Sequence, residues 1–453
     1  MKKATIITIV LLFVASPGFA QSGEKKGSFD ASALSELRMF VDAGMEITVK
    51  PSPSNSIHYV YSFDGNDQAY EHYFENFDPD YEKNGGRAQL GIEFPRQDRG
   101  HSEFKIKKHE LSLLIPPSVM IDLSSRYSKI EIVGFDHGLS VQNRSGFVKV
   151  DNIDQNVVIS NEYGAVTATN INGEVMISNR SANVDVRNVT GPVTVNAEYS
   201  KLNISKIEGD LTTSNRSGVM NAFDIMGSIK ADGPYMEYEL TNIDGDVRIS
   251  NKSGKVVVQT ARSLIVNGDY THITANGIKR DTRTVEIEGR SASIDLDNIA
   301  GDVMISGQYL NAHLTKIGGF AMIRNRSGEI MIEDIEKEVT ISGEYLEIDL
   351  KKFKGDYLEI YNKSQGINIE ALNALKGVTI ENQYGDIELT MKAPFEGNVN
   401  IENEYGKFDS NLSLWNQQVN RGTNDLTISG TAGSGDGQMI IKNKNGDIKI
   451  NQE

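Results

Sequence analysis

Six tyrosines, Tyr163, Tyr199, Tyr235, Tyr270, Tyr309 and Tyr345, recur at intervals of 35 to 39 residues, and a serine stands about midway between each pair: Ser181, Ser217, Ser253, Ser291 and Ser327. Basic residues precede the serines (Arg180, Arg216, Lys252, Arg290, Arg326), while Glu162, Glu198, Pro234, Asp269, Gln308 and Glu344 precede the tyrosines. Flat rings at a regular interval, with guanidinium and carboxylate groups between them, suit non-covalent recognition. The rings stack on sugar rings and the charged groups hydrogen-bond hydroxyls, as an edge contacting a polysaccharide requires. A packing reading competes with it. Alternation also keeps like charges from sitting at the strand spacing of about 5 Å, where they repel by roughly 1 kcal/mol even in water. It would further let each basic side chain lie against a tyrosine ring.

Covalent chemistry has little to work with. No cysteine is present, and the seven histidines (His58, His72, His101, His109, His137, His272 and His313) show no HExxH or other short metal-ligand spacing. Asp78, Asp80 and Glu82 lack the glycine and downstream glutamate of a calcium loop. "GTAGSGDG" is neither a phosphate loop nor a nucleophile elbow. The reading is non-enzymatic, with no catalytic, metal or cofactor residue assigned.

The elements that must carry the tyrosines follow from the interval. The corner residue falls at Tyr127, Ser145, Tyr163, Ser181, Tyr199, Ser217, Tyr235 and Ser253, always 18 apart, and continues with small slips through Tyr270, Ser291, Tyr309, Ser327, Tyr345, Ser364 and Tyr384 to Tyr405. A fixed short period is the mark of a solenoid. Within each unit apolar β-branched residues alternate with polar ones, as in "GDVRISNKS" and "GKVVVQTAR". Each coil is therefore two short strands and two turns, stacked strand on strand. Ile153, Ile171, Val189, Ile207, Ile225 and Ile243 form one expected inner ladder, resumed by Ile299, Ile317 and Ile335. Two positions before the corner stands Asn or Gly almost throughout, which predicts a left-handed turn there and coil-to-coil amide bonds.

"MKKATIITIVLLFVASPGFA" has two lysines, a short apolar run and small residues before Gln21. It reads as a signal peptide over residues 1–20, too short to span a bilayer. The formal charge of −16 falls to −18 without Lys2 and Lys3. So acidic a surface argues against nucleic acid and anionic lipid as partners. The expected location is the periplasm or the cell surface, with a polysaccharide or an envelope or surface protein as partner. Oligomeric state is left open.

Residues 21–108 break the period and read as an N-terminal β cap, with "DGNDQAYEHYFENFDPDYEKNGG" as an acidic surface loop or short helix. Residues 109–410 are the repeats, and 411–453 form the solenoid end and a C-terminal cap protecting the open sheet edge. Repeats such as "GEVMISNRSA" and "GDVMIS", the stretch "LSLLIPPSVMIDLSSRYSKIEI" and the finish "IIKNKNGDIKI" resemble the bacterial adhesin-like domains of unknown function. They are similar also to the head domain of auto-transporter adhesins, known mostly from Bacteroidetes. The resemblance covers about residues 36–450 and implies a right-handed parallel β-helix that is exported, with no family-defined functional residues. The expectation is an adhesin-like binding scaffold; the alternatives are a periplasmic spacer or self-assembling rod, then a carbohydrate-active β-helix enzyme.

Overall fold

The computed structural model describes residues 8–9, 21–42, 44–95, 104–279 and 285–453. Apart from residues 8–9, the proposed signal peptide lies outside the described residues, as does His101. The described chain is nearly all strand and winds as a parallel β-solenoid with coils of about 18 residues. It forms two compact units, Met1–Gly227 and Ser228–Glu453.

In the first unit one coil consists of Val157–Tyr163 and Val166–Ile171. Each strand lies parallel to its counterpart 18 residues on, Val157 opposite Val175 and Val166 opposite Val184. Alternate side chains point inward, so Val148, Val166, Val184, Leu202 and Met220 stack as one fully buried ladder. Ile153, Ile171, Val189, Ile207 and Ile225 form a second. Each such side chain contributes about 1.5–3 kcal/mol by burial, summed over neighbouring coils.

The left-handed corner is not where the Asn and Gly pattern predicts it. Positive φ belongs to the residue just before the second ladder: Asn152 (58°), Asn170 (54°), Asn188 (55°), Lys206 (55°) and Asp224 (56°). The second unit repeats this at Asn242, Thr260, Gly277, Asn298, Lys316, Asp334 and Lys352. The pairing register skips this residue, running from Asp151 opposite Thr169 to Ile153 opposite Ile171. Both strands make this left-handed step in register, and it turns the ladder residue inward on each coil alike.

Glu36–Val41 and Glu46–Pro51, both within the sequence-read cap, join the parallel stack. Glu36–Val41 lies between Arg87–Ile92 and Met120–Ser125, and Glu46–Pro51 between Ile106–Ile115 and Lys129–Phe135. Outside them, Ser56–Gly65 pairs antiparallel with Ile106–Ile115, and Gln21–Asp30 with Ser56–Gly65. The acidic insert is a short helical turn over residues 67–75 whose Tyr70 and Phe74, together with the following Phe77, are buried. They join Tyr61, Phe63 and His109 in an aromatic cluster; Tyr61 and Phe77 stack with centroids 3.9 Å apart.

The second unit winds the same way, and its last coil is out of sequence order. Gly437–Asn443 lies between Gly377–Glu381 and Gly397–Glu404. Ile448–Gln452 lies between Ile387–Met391 and Phe408–Ser410. The inserted coil is basic and its neighbours acidic: Lys442 stands 3.8 Å from Glu381 and 4.0 Å from Glu402, Lys444 3.4 Å from Glu404, and Lys449 2.7 Å from Glu388. Sequential stacking would instead bring Glu381 towards Glu402, a repulsion of about 1 kcal/mol. Beyond Gly397–Glu404, Asp425–Ala432 pairs antiparallel with it, and Trp415–Arg421 antiparallel with that strand.

Candidate binding edge

The first corner brings the sequence-marked residues into register within each unit. In the first, Ser145 lies opposite Tyr163, Ser181 opposite Tyr199, and Tyr199 opposite Ser217. In the second, Ser253 lies opposite Tyr270, Ser291 opposite Tyr309, and Ser327 opposite both Tyr309 and Tyr345. Bridges carry this row on through Ser364 and Tyr384 to Asn445. The spatial order therefore continues from large to small where the sequence, passing from Tyr384 to Tyr405, breaks it. Tyr163, Tyr199, Tyr235, Tyr270, Tyr309 and Tyr345 are 44–55% exposed. Two coils separate neighbouring rings within a unit, about 9–10 Å.

The charged residues beside them pair only in part. Arg144 and Glu162 are 3.7 Å apart, Arg180 and Glu198 3.4 Å, and Arg326 and Glu344 3.4 Å. Arg126, which breaks the alternation in sequence, lies 3.5 Å from Asp42 of the intercalated first coil. Exposed pairs of this kind contribute about 0.2–1 kcal/mol each. Arg216, Lys252, Asp269 and Arg290 make no ion pair among the described residues. The expected stacking of each basic group on a ring occurs at Arg180, whose guanidinium lies 5.8 Å from the Tyr163 centroid and donates to Tyr163 Oη at 2.9 Å. Arg216 and Arg326 make no such contact among the described residues; Arg326 pairs with Glu344 instead.

Alternation has a backbone cause that the sequence reading missed. In five Ser-type coils a buried asparagine clasps the residue after the tyrosine in the coil before; Asn179 makes only the donating half, to the Gly164 carbonyl, and the Ser291 coil has Gly289 instead. Asn325 Nδ2 donates to the Leu310 carbonyl at 2.9 Å, and its Oδ1 accepts from the Leu310 N–H at 3.2 Å. Asn143 does the same to Ser128, Asn215 to Ser200, Asn251 to Met236 and Asn362 to Leu346. The residue after the serine then passes tightly over that carbonyl. At Gly328 (φ 138°) an added Cβ would sit 2.0 Å from the Leu310 oxygen, so glycine is required. Four Tyr-type coils of the second unit carry glycine in place of the asparagine (Gly233, Gly268, Gly307 and Gly343), and at Gly307 and Gly343 the larger residue three positions on, Leu310 and Leu346, fills the space. The Tyr384 and Tyr405 coils keep Asn382 and Asn403, and Asn382 donates to the Gln365 carbonyl of the coil before.

Ala182 occupies the glycine position at φ 125°. An alanine held there stores strain of about 1–3 kcal/mol, offset in part by the greater unfolded-state freedom of glycine. Ala182→Gly is expected to raise stability by about 1 kcal/mol, read as a higher urea midpoint with unchanged slope. An unchanged or lower midpoint would show that the corner is relaxed.

Beside the corner the outer surface is concave. In the second unit a shallow polar groove of about 680 Å³ is lined by Asp232, Lys252, Asp269, Glu288, Arg290 and Gln308. Farther on, one of about 630 Å³ is lined by Glu381, Glu402, Lys442 and Lys444. The first unit has one of about 410 Å³ with Asp42, Arg126, Arg144 and Glu162. The six tyrosines do not line these grooves; they stand on the ridge alongside. Among the described residues no group of three His, Asp or Glu side chains is arranged to hold a metal ion. No helix there is long and apolar enough to cross a membrane.

A family model described as Toastrack DUF4097 matches residues 37–451. The chain belongs to the Toastrack DUF4097 family. Solved structures similar to this Toastrack chain include a candidate cell adhesion protein from Clostridium sporogenes, 9% identical with a TM-score of 0.20, covering 96% of this chain and 100% of that one. A candidate adhesin from Parabacteroides merdae is 11% identical with a TM-score of 0.24, covering 62% and 98%. A candidate lipid-binding protein from Parabacteroides distasonis is 12% identical with a TM-score of 0.22, covering 61% and 97%. No curated protein matches the chain.

Proposed function

We propose that this Toastrack protein is an exported, non-enzymatic binding scaffold of the cell envelope or surface, adhesin-like in role, that holds an extended polysaccharide along its corner edge. The observation that carries the reading is the file of half-exposed tyrosines at two-coil spacing beside an open polar groove. Tyr163 and Tyr199 serve one unit, and Tyr235, Tyr270, Tyr309 and Tyr345 the other, with Arg180, Arg216 and Arg326 as hydrogen-bond donors beside them. The groove is open and its carboxylates are distributed by the coils, an arrangement for contact along a chain and not for attack on one bond. Export rests on the character of residues 1–20.

The asparagine clasp favours a second reading, a passive spacer, because it supplies a packing reason for the same alternation. Binding of the purified protein to a panel of polysaccharides and envelope fractions separates the two, beside a folded variant with Tyr163, Tyr199, Tyr235, Tyr309 and Tyr345 changed to Ser. Each engaged ring is worth about 0.5–1.5 kcal/mol beyond its area, so losing two or more is expected to weaken binding about tenfold or further. Equal binding by both proteins, or by neither, favours the spacer.

A further inference from the structure

We propose that two copies of this chain associate through the edge strand Trp415–Arg421, each strand pairing antiparallel with its copy. The strand ends the sheet at the C-terminal cap: it pairs with Asp425–Ala432 on one side and with no other strand among the described residues. All seven of its residues are exposed, with Trp415 71% and Val419 48% accessible. An edge of this kind offers unpaired N–H and C=O groups to any extended chain.

What marks the occupant is charge. An outer strand of the first unit, Asp80–Asn84, which pairs only with Arg87–Ile92 among the described residues, carries the groups that usually guard an edge, Asp80, Glu82 and Lys83. Trp415–Arg421 reads WNQQVNR, with no carboxylate, lysine or proline. In a chain of formal charge −16 this is an edge where two copies approach without meeting acid against acid. Its ends are complementary in the antiparallel sense. Reversal brings the Arg421 guanidinium of each strand towards the Trp415 indole of the other, the favoured cation–π pair. The asparagine and glutamine side chains between them hydrogen-bond in kind. A bulge between Trp415 and Gln418, with Asn416 at φ 51°, interrupts the ladder on the Trp415 side of the strand's middle and re-aims the indole. The interface is therefore small and the association weak, strengthening with salt as the net repulsion between acidic copies is screened.

Trp415 is the sole tryptophan in the chain, so its emission reports this edge alone. Sedimentation of the full chain across micromolar concentrations should show a shift from one chain to two, with tryptophan emission moving to shorter wavelength over the same range. Val419→Pro, which deletes an edge N–H, and Val419→Lys, which adds a guard charge, should each weaken association at least tenfold without lowering the melting temperature. A single-chain mass at every concentration overturns the proposal, as does a dimer that survives both variants or forms without an emission shift. A monomer whose emission shifts only on adding envelope fractions assigns the edge to a foreign strand and equally overturns self-pairing.

Discussion

Deleting residues 434–453 is expected to unfold the chain well beyond the deleted segment. In a solenoid stacked in sequence order, loss of the last coil removes one interface and leaves the rest intact. Here the last coil lies between Gly377–Met391 and Gly397–Ser410, so its loss removes two interfaces and separates the cap from the stack. Met439, Ile441, Ile448 and Ile450 are fully buried. At about 1.5–3 kcal/mol each, their burial amounts to about 6–12 kcal/mol, comparable to the whole stability of a typical domain. Hydrogen exchange should show protection lost across 397–432 and reduced across 377–391. Retained protection over 397–404 would mean that this strand can stack directly on 377–381 despite Glu381 and Glu402, and the slot would not be specific.

Acidification should loosen the N-terminal cap between pH 6.5 and 4. His109 is buried among Tyr61, Phe63, Tyr73 and Phe94, and its Nε2 has no hydrogen-bond partner among the described residues. Desolvation by this burial holds its pKa down at about 4, from an ordinary 6.5, against a smaller opposing contribution from a backbone hydrogen bond to Gly44. The folded cap keeps the imidazole neutral, while the unfolded chain takes up a proton as soon as pH drops below 6.5. The stabilising effect is thus complete above pH 6.5 and is lost progressively down to pH 4, by about 3 kcal/mol in total. His72, lowered by its own burial, acts in the same direction. Asp30, held at about 2 chiefly by hydrogen bonds from Lys83 and Ser32, acts only at lower pH. Urea unfolding of the parent and of His109→Phe across this range isolates the one group. The variant should show a clearly flatter dependence, and parallel curves would remove His109 from the account.

The coil period, the inner ladders and the tyrosine row were legible because each is a local spacing that strand geometry converts directly into a face. Coil order was not. "EITVK" and "MIIKN" look like every other strand of the chain, and a local pattern carries no mark of which distant strand it pairs with. One trace existed: Tyr405 follows Tyr384 with no small corner between, and Asn445 supplies it in space. The left-handed corner escaped notice because lysine and aspartate (Lys206, Lys316, Lys352 and Asp224) stand there on some coils in place of asparagine, so residue type does not mark it. In the acidic insert, Tyr70, Phe74 and Phe77 keep the spacing of one helical face, outweighed in the reading by the surrounding carboxylates. The grooves depend on how inward asparagines and bare glycines shape the corner, which residue type alone does not convey.

The alternation of Tyr-type and Ser-type coils, with the clasp that five of the Ser-type coils place on the coil before, also bears on how such a chain can change length. A single coil added or lost in mid-stack would set two coils of one kind face to face, tyrosine against tyrosine or basic side chain against basic side chain at the strand spacing. The increment that keeps the corner row alternating is therefore a couple of coils, about 36 residues. At the C-terminal end, where the sequence itself violates parity, the threaded last coil restores it.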